Sequence, residues 1–158
     1  MASTPATPAA TVLVVDDNDA NRSLARHTLE DEGYRVVLAS GGEEAIAAAL
    51  QQYIDAARTG KGAHMRLAFA DNARISGTYA GKKVDWTLQE FCDLIDKGGP
   101  VENLDARVVA IEYQGNAGMA RLEARNWRGT RYTDFFVLLK HGDTWQIANK
   151  VFFAHSRA

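Results

Sequence analysis

A single cysteine, Cys92, stands in the 158-residue chain. No internal disulfide can form, and no cysteine-based metal centre can be assembled. Only three prolines occur, and two of them, Pro5 and Pro8, fall in the first ten residues. That stretch, MASTPATPAA, lacks the basic and apolar regions of a secretory leader and reads as a disordered lead over residues 1–10. No apolar run approaches the ~20 residues of a membrane span, so no membrane partner is expected. Net charge is −2, which leaves no global pull toward nucleic acid. No two of the four histidines lie at i, i+4 spacing, which argues against a zinc site on a helix. The remaining class is an ordinary soluble globular chain, with a reducing cytoplasm as the expected location.

What is present is unevenly spread. Residues 1–42 carry six acids against three basic residues, while the remainder carries 14 acids against 15 basic residues. The imbalance suggests two pieces of different origin.

The first piece, residues 11–42, has a continuous apolar run at Thr11–Asp16, suited to a strand buried on both faces. Asp17, Asn18 and Asp19 supply turn and N-cap chemistry for a helix over Ala20–Glu32, with Leu24, Thr28 and Leu29 on its less polar side. Gly33 is placed to end it, and Arg35–Ala39 forms a second strand. Ser40 then caps a helix whose first turn holds Glu43 and Glu44. The string VLVVDDNDANRSLARHTLEDEGYRVVLASGGEEAI resembles the opening of a response-regulator receiver domain. That resemblance implies that Asp16 and Asp17 correspond to an acidic pair that helps hold Mg²⁺. The family's phosphoacceptor, switch hydroxyl and lysine have no counterparts after Leu50. Two carboxylates alone hold Mg²⁺ poorly, so no working cofactor is expected. A fragment below about 40 residues rarely buries enough core to fold alone.

From residue 43 the pattern changes. Ile46, Leu50, Tyr53, Ile54 and Ala57 recur at helical spacing, and Gly60 ends that helix. Ala63–Phe69 reads as a short helix, and Asp71–Asn72 as a turn. Ala73–Tyr79 and Lys83–Asp85 form a hairpin about Gly81. Thr87 and Glu90 make a capping box for a helix over Leu88–Asp96, with Leu88, Phe91, Leu94 and Ile95 facing inward. Four strands follow, at Leu104–Tyr113, Met119–Trp127, Arg131–Lys140 and Thr144–Ala154. Their close spacing indicates an antiparallel meander, and helices followed by a long sheet indicate an α+β domain.

The segments QQYIDAARTGKGAHMRLAFADNARISG, GKKVDWTLQEFCDLI and RYTDFFVLLKHGDTWQIANKVFFAH resemble the nuclear transport factor 2-like superfamily, in its lumazine-binding and SnoaL-like branch. The resemblance covers residues 43–158. It implies a cone-shaped cystatin-like fold, with helices packed on a curved antiparallel sheet, preceded by the β-α-β receiver-like fragment. The SGGEEAIAAAL helix serves both resemblances, so the join near Glu43 reads as a splice within a helix, as in a fusion or chimera.

The cone of this superfamily usually encloses a pocket. Tyr53, Phe69, Trp86, Phe91, Trp127 and Asn149 are its candidate ligand-binding residues, for a small apolar or aromatic ligand. Catalytic candidates are Tyr53, His64 and Asp134. Tyr53 matches the helix position at which related ketosteroid isomerases carry an oxyanion-donating tyrosine. The corresponding base position falls on Gly77, which cannot abstract a proton, and a second acid is not placed, although Glu123 and Asp134 lie in neighbouring strands. His64 has no carboxylate partner visible in sequence. Asp134 and Asn149, on adjacent strands, could pair inside the sheet. The alternative for these polar strand residues is ordinary pairing on the wet face. Three functions remain open: a small-molecule-binding cone with or without lyase or isomerase activity, a homodimerising interaction module using the sheet, and a signalling protein built on the receiver fragment.

Overall fold

The computed structural model describes residues 10–16, 18–39 and 41–155. The chain divides into two compact units whose boundary falls within one helix, between Ala45 and Ile46.

The first unit contains β1 (Thr11–Val15), α1 (Asp19–Asp31) and β2 (Arg35–Ala39). The two strands pair in parallel, Thr11 with Arg35 through Val15 with Ala39. Asn18 is the N-cap of α1: its side-chain oxygen accepts from the backbone N–H of Ala20 at 2.9 Å and of Asn21 at 3.3 Å. Leu24 is exposed, not sheltered, on this helix. Asp16 already serves the turn, accepting from the Asn18 N–H at 2.7 Å and the Asn21 amide at 3.1 Å. Asp17 and Ser40 lie outside the described residues.

Helix α2 (Gly42–Thr59) carries the junction. It buries Ile46, Leu50, Tyr53, Ile54, Ala56 and Ala57, the stripe expected of helical spacing. Burial of an Ile or Leu side chain contributes about 1.5–3 kcal/mol. Gly60 ends the helix at φ +64°, and a Cβ there would lie 2.1 Å from the Gly99 carbonyl carbon. Only glycine meets both conditions. Helix α3 (Gly62–Leu67) is shorter than expected, because Phe69 opens the next strand.

The second unit has one six-stranded sheet, in the order β4-β3-β8-β7-β6-β5. Its strands are β3 (Phe69–Tyr79), β4 (Lys82–Thr87), β5 (Asp105–Gln114), β6 (Ala117–Trp127), β7 (Thr130–His141) and β8 (Thr144–Ala154). The meander β5–β8 is antiparallel, but β3 joins β8 in parallel. Asp71 and Asn72 are not a turn. They lie inside β3, where its register with β8 shifts between Phe69 and Arg74. Helix α4 (Leu88–Gly98) carries the complete Thr87–Glu90 capping box. Its buried face is Leu88, Phe91, Cys92 and Ile95, so Cys92 takes the core place expected of Leu94, which is 40% exposed.

Two irregularities in the sheet decide what faces inward. In β8 the pairing skips from Val137–Asn149 to Leu138–Ile147, leaving Ala148 as an extra residue. Trp145 and Ile147 point inward before this bulge, and Lys150 and Phe152 point inward after it. In β6 the register with β7 shifts between Ala124 and Trp127, with Asn126 at φ +61°. Bulges of this kind reverse the alternation of side chains.

Candidate functional site

Helix α2 brings Tyr53 down onto the inward face of β7 and β8. Asp134 pairs across the ladder with Phe152, so Lys150, two residues before Phe152 on β8, is its diagonal neighbour on the same face. The three side chains meet. Lys150 Nζ donates to the Tyr53 hydroxyl oxygen at 2.6 Å, and the Tyr53 hydroxyl donates to Asp134 Oδ2 at 3.1 Å. Lys150 Nζ also lies 3.3 Å from Asp134 Oδ2. All three are buried, and Asp134 Oδ1 has no hydrogen-bond partner among the described residues.

Burial disfavours every charged form in this cluster. It pushes the Tyr53 hydroxyl well above its ordinary value, and the adjacent Asp134 pushes it further. It raises the Asp134 carboxyl, against the pull of Lys150 and the Tyr53 hydrogen bond. It lowers Lys150, against the pull of Asp134. The aromatic surroundings act in the opposite sense on the ammonium. Nζ lies 4.9 Å from the ring centre of Tyr53, 5.1 Å from that of Phe91, 5.3 Å from that of Phe152 and 5.6 Å from that of Trp127.

Lys150 also forms part of the wall of a cavity of about 310 Å³. The rings of Trp86, Phe91, Trp127, Tyr132 and Phe152 line it. Trp86 stacks on Phe91 and Phe152, with 16° between planes in each case. Leu94, displaced from the core, lines this cavity as well. Among the described residues, Lys150 and Arg128 are the charged side chains in the lining, and no carboxylate joins them.

The sequence candidates therefore divide. Tyr53 and Asp134 are joined in one buried network, although Asp134 takes Lys150 as its partner and not Asn149. Trp86, Phe91 and Trp127 line the cavity, and Trp127 owes its place to the β6 bulge. Phe69 sits behind it in the core, edge-on to Tyr53 and Phe91. Asn149 is exposed, and its Oδ1 accepts from the Arg74 N–H at 2.8 Å. His64 is exposed on α3, with Nδ1 2.9 Å from the Thr59 hydroxyl. Gly77 leaves no room for a base: a Cβ would lie 2.4 Å from the Phe152 carbonyl oxygen. Lys150 was not among the residues singled out from sequence. The signal available was its position two residues before Phe152, on the same face if the last four residues of the strand set the phase. Among the described residues, no three His, Cys, Asp or Glu side chains are grouped to hold a metal ion.

Residues 42–153 match the family model described as "Putative lumazine-binding". The chain is 34% identical to a nuclear transport factor 2-like protein of unknown function from Methylobacillus flagellatus KT, covering 72% of this chain and 91% of that one, with a TM-score of 0.69. A similar protein of unknown function from Shewanella baltica OS155 is 30% identical, with 72% and 93% coverage and a TM-score of 0.67. Aldolase FrzH from Cladobotryum sp is 23% identical over 121 residues, which is 76% of this chain and 97% of that protein. With the model spanning most of its length and the α+β sheet-and-helix architecture in place, this chain belongs to the lumazine-binding-like family of the nuclear transport factor 2-like superfamily.

Proposed function

We propose that the second unit binds a small, flat, aromatic molecule carrying an electronegative oxygen, with that oxygen held at Lys150. The carrying observation is the lining of the 310 Å³ cavity: aromatic walls, two cations and, among the described residues, no carboxylate. Stacked rings select a flat apolar body, and a buried cation selects an oxygen with negative or partial negative charge. The similarity to a protein named an aldolase is in keeping with such a ligand, because aldol chemistry passes through carbonyl oxygens that gain charge. Ketosteroid-isomerase chemistry is disfavoured by Gly77.

The test is fluorescence titration with 2-naphthoate, read through Trp86 and Trp127. The reference protein is the double variant Asp134→Leu, Lys150→Met, which leaves no unpaired buried charge. A lost charge-assisted hydrogen bond should weaken binding by about tenfold or more. Equal affinity in the wild type and the folded double variant would remove Lys150 from the reading.

A second reading concerns assembly. Met119, Phe135, Val137, Val151 and Phe153 form a contiguous apolar patch on the outer face of β6–β8, each about half exposed. Patches of this kind commonly mark interfaces, and a homodimer through the sheet would cover it. Sedimentation showing a monomer at micromolar concentration would exclude this. Residues 11–42 are read as a receiver-like fragment joined to the cone. In that reading the Asp16 carboxylate already holds the turn before α1, accepting from the Asn18 N–H and the Asn21 side-chain amide, which weighs against a Mg²⁺ role.

A further inference from the structure

We infer that Lys150 is a carbonyl-trapping amine, which condenses with an aromatic aldehyde or ketone in the cavity to form an imine. The inference rests on the pocket reading above and goes beyond it, because a cation that only pairs with an oxygen needs no proton relay. Here the relay is built. Nζ touches the Tyr53 oxygen at 2.6 Å, and Tyr53 touches Asp134 Oδ2 at 3.1 Å. Asp134 Oδ1 is buried and unpartnered among the described residues, so one edge of the carboxyl is free to carry a proton. With the shared proton on Asp134, Lys150 keeps its lone pair, and it does so in the cavity wall, among rings suited to an aromatic carbonyl compound.

The step balances without any further reagent. The nitrogen lone pair forms a bond to the carbonyl carbon, and the carbonyl π pair moves to oxygen. The Tyr53 hydroxyl, 2.6 Å from Nζ, takes one amine proton as it gives its own to that oxygen, yielding a carbinolamine. The second follows the same route as the carbon–oxygen bond breaks. The oxygen leaves as water with the two protons so relayed, and a carbon–nitrogen double bond remains on Lys150. A network of this kind, amine to hydroxyl to carboxyl, is the arrangement in which a nucleophile is activated by an adjacent base.

The experiment exposes the full chain to 2-naphthaldehyde and sodium cyanoborohydride at neutral pH, followed by intact-mass measurement and peptide mapping. One naphthylmethyl group per chain is expected, on Lys150. Its rate should exceed that at Lys61, Lys82, Lys83, Lys97 or Lys140 by about a hundredfold or more, the low end of what positioned proton transfer supplies. Excess 2-naphthoate should suppress it. In Tyr53→Phe, checked for an intact melting transition, labelling of Lys150 should slow by about a hundredfold or more, far beyond any change in naphthoate affinity. If naphthoate binds but Lys150 stays unmodified, or all six lysines label alike, the imine falls and the pocket reading stands. If neither compound engages the cavity, both fall. If Tyr53→Phe labels as fast as the wild type, the relay is wrong.

Discussion

Two carboxylates on neighbouring strands meet opposite fates. Asp134, on the inner face of β7, has a lysine and a tyrosine hydroxyl beside it. Glu123, on the outer face of β6, is held by Arg121 at 2.7 Å, Arg131 at 3.2 Å and the Thr133 hydroxyl at 3.0 Å. In both, burial is the largest influence and pushes the carboxyl up. Inside, burial wins, and Asp134 ends above its ordinary value. Outside, three donors together win, and Glu123 ends below its ordinary value. A single cation and a hydroxyl do not offset full desolvation, whereas two guanidinium groups and a hydroxyl offset partial desolvation. Burial thereby favours the neutral form of the inner carboxyl, while the donors favour the anion of the outer one, which clasps β6 to β7.

The most damaging change should be Lys150→Met alone, which strands Asp134 in the core. Breaking one side of a buried pair costs about 3–5 kcal/mol. Urea unfolding at pH 7 should show a loss of this size, and adding Asp134→Leu should restore most of it, because an apolar pair of similar volume is often neutral. A single variant as stable as the wild type would mean that the inner cluster is wetter than its burial indicates. The next largest effect should come from Glu123→Gln, at about 1 kcal/mol, since its arginine partners can return to water.

Much of this arrangement is legible in the sequence, and the exceptions have a common cause. The α2 stripe from Ile46 to Ala57, the Thr87–Glu90 capping box and the four-strand meander follow from local spacing, which any single stretch of chain reveals. The parallel joining of β3 to β8 is not local, so Asp71 and Asn72 read as a turn although they lie in a strand. The site is partly legible for the same reason. Tyr53 belongs to the α2 stripe, and Asp134 stands out as an acid in an apolar strand. Lys150 is hidden because strict alternation from Trp145 and Ile147 points Asn149 inward and Lys150 outward. The extra residue at Ala148 reverses that phase, and nothing in the residue itself announces a bulge.

The sharpest test of the comparison is the sign of two pH slopes. In Lys150→Met, Asp134 keeps its raised value and loses the cation that opposed the rise. An acid whose folded value is raised gives stability that is present below the unfolded value, about 3.9, and is lost as pH climbs through the folded value. The penalty of Lys150→Met should therefore shrink as the medium is acidified. Glu123 runs the other way. Its folded value is depressed, so its contribution is present above the unfolded value, about 4.3, and is lost as pH falls through the folded value. The wild type and Glu123→Gln should converge in acid because the wild type gives up its advantage. Unfolding free energies for the three proteins across the acid range would show one gap closing because a variant recovers and the other because the wild type weakens. If Lys150→Met instead lost further stability on acidification, Asp134 would be behaving like Glu123, and the contrast between the two faces of the sheet would be gone.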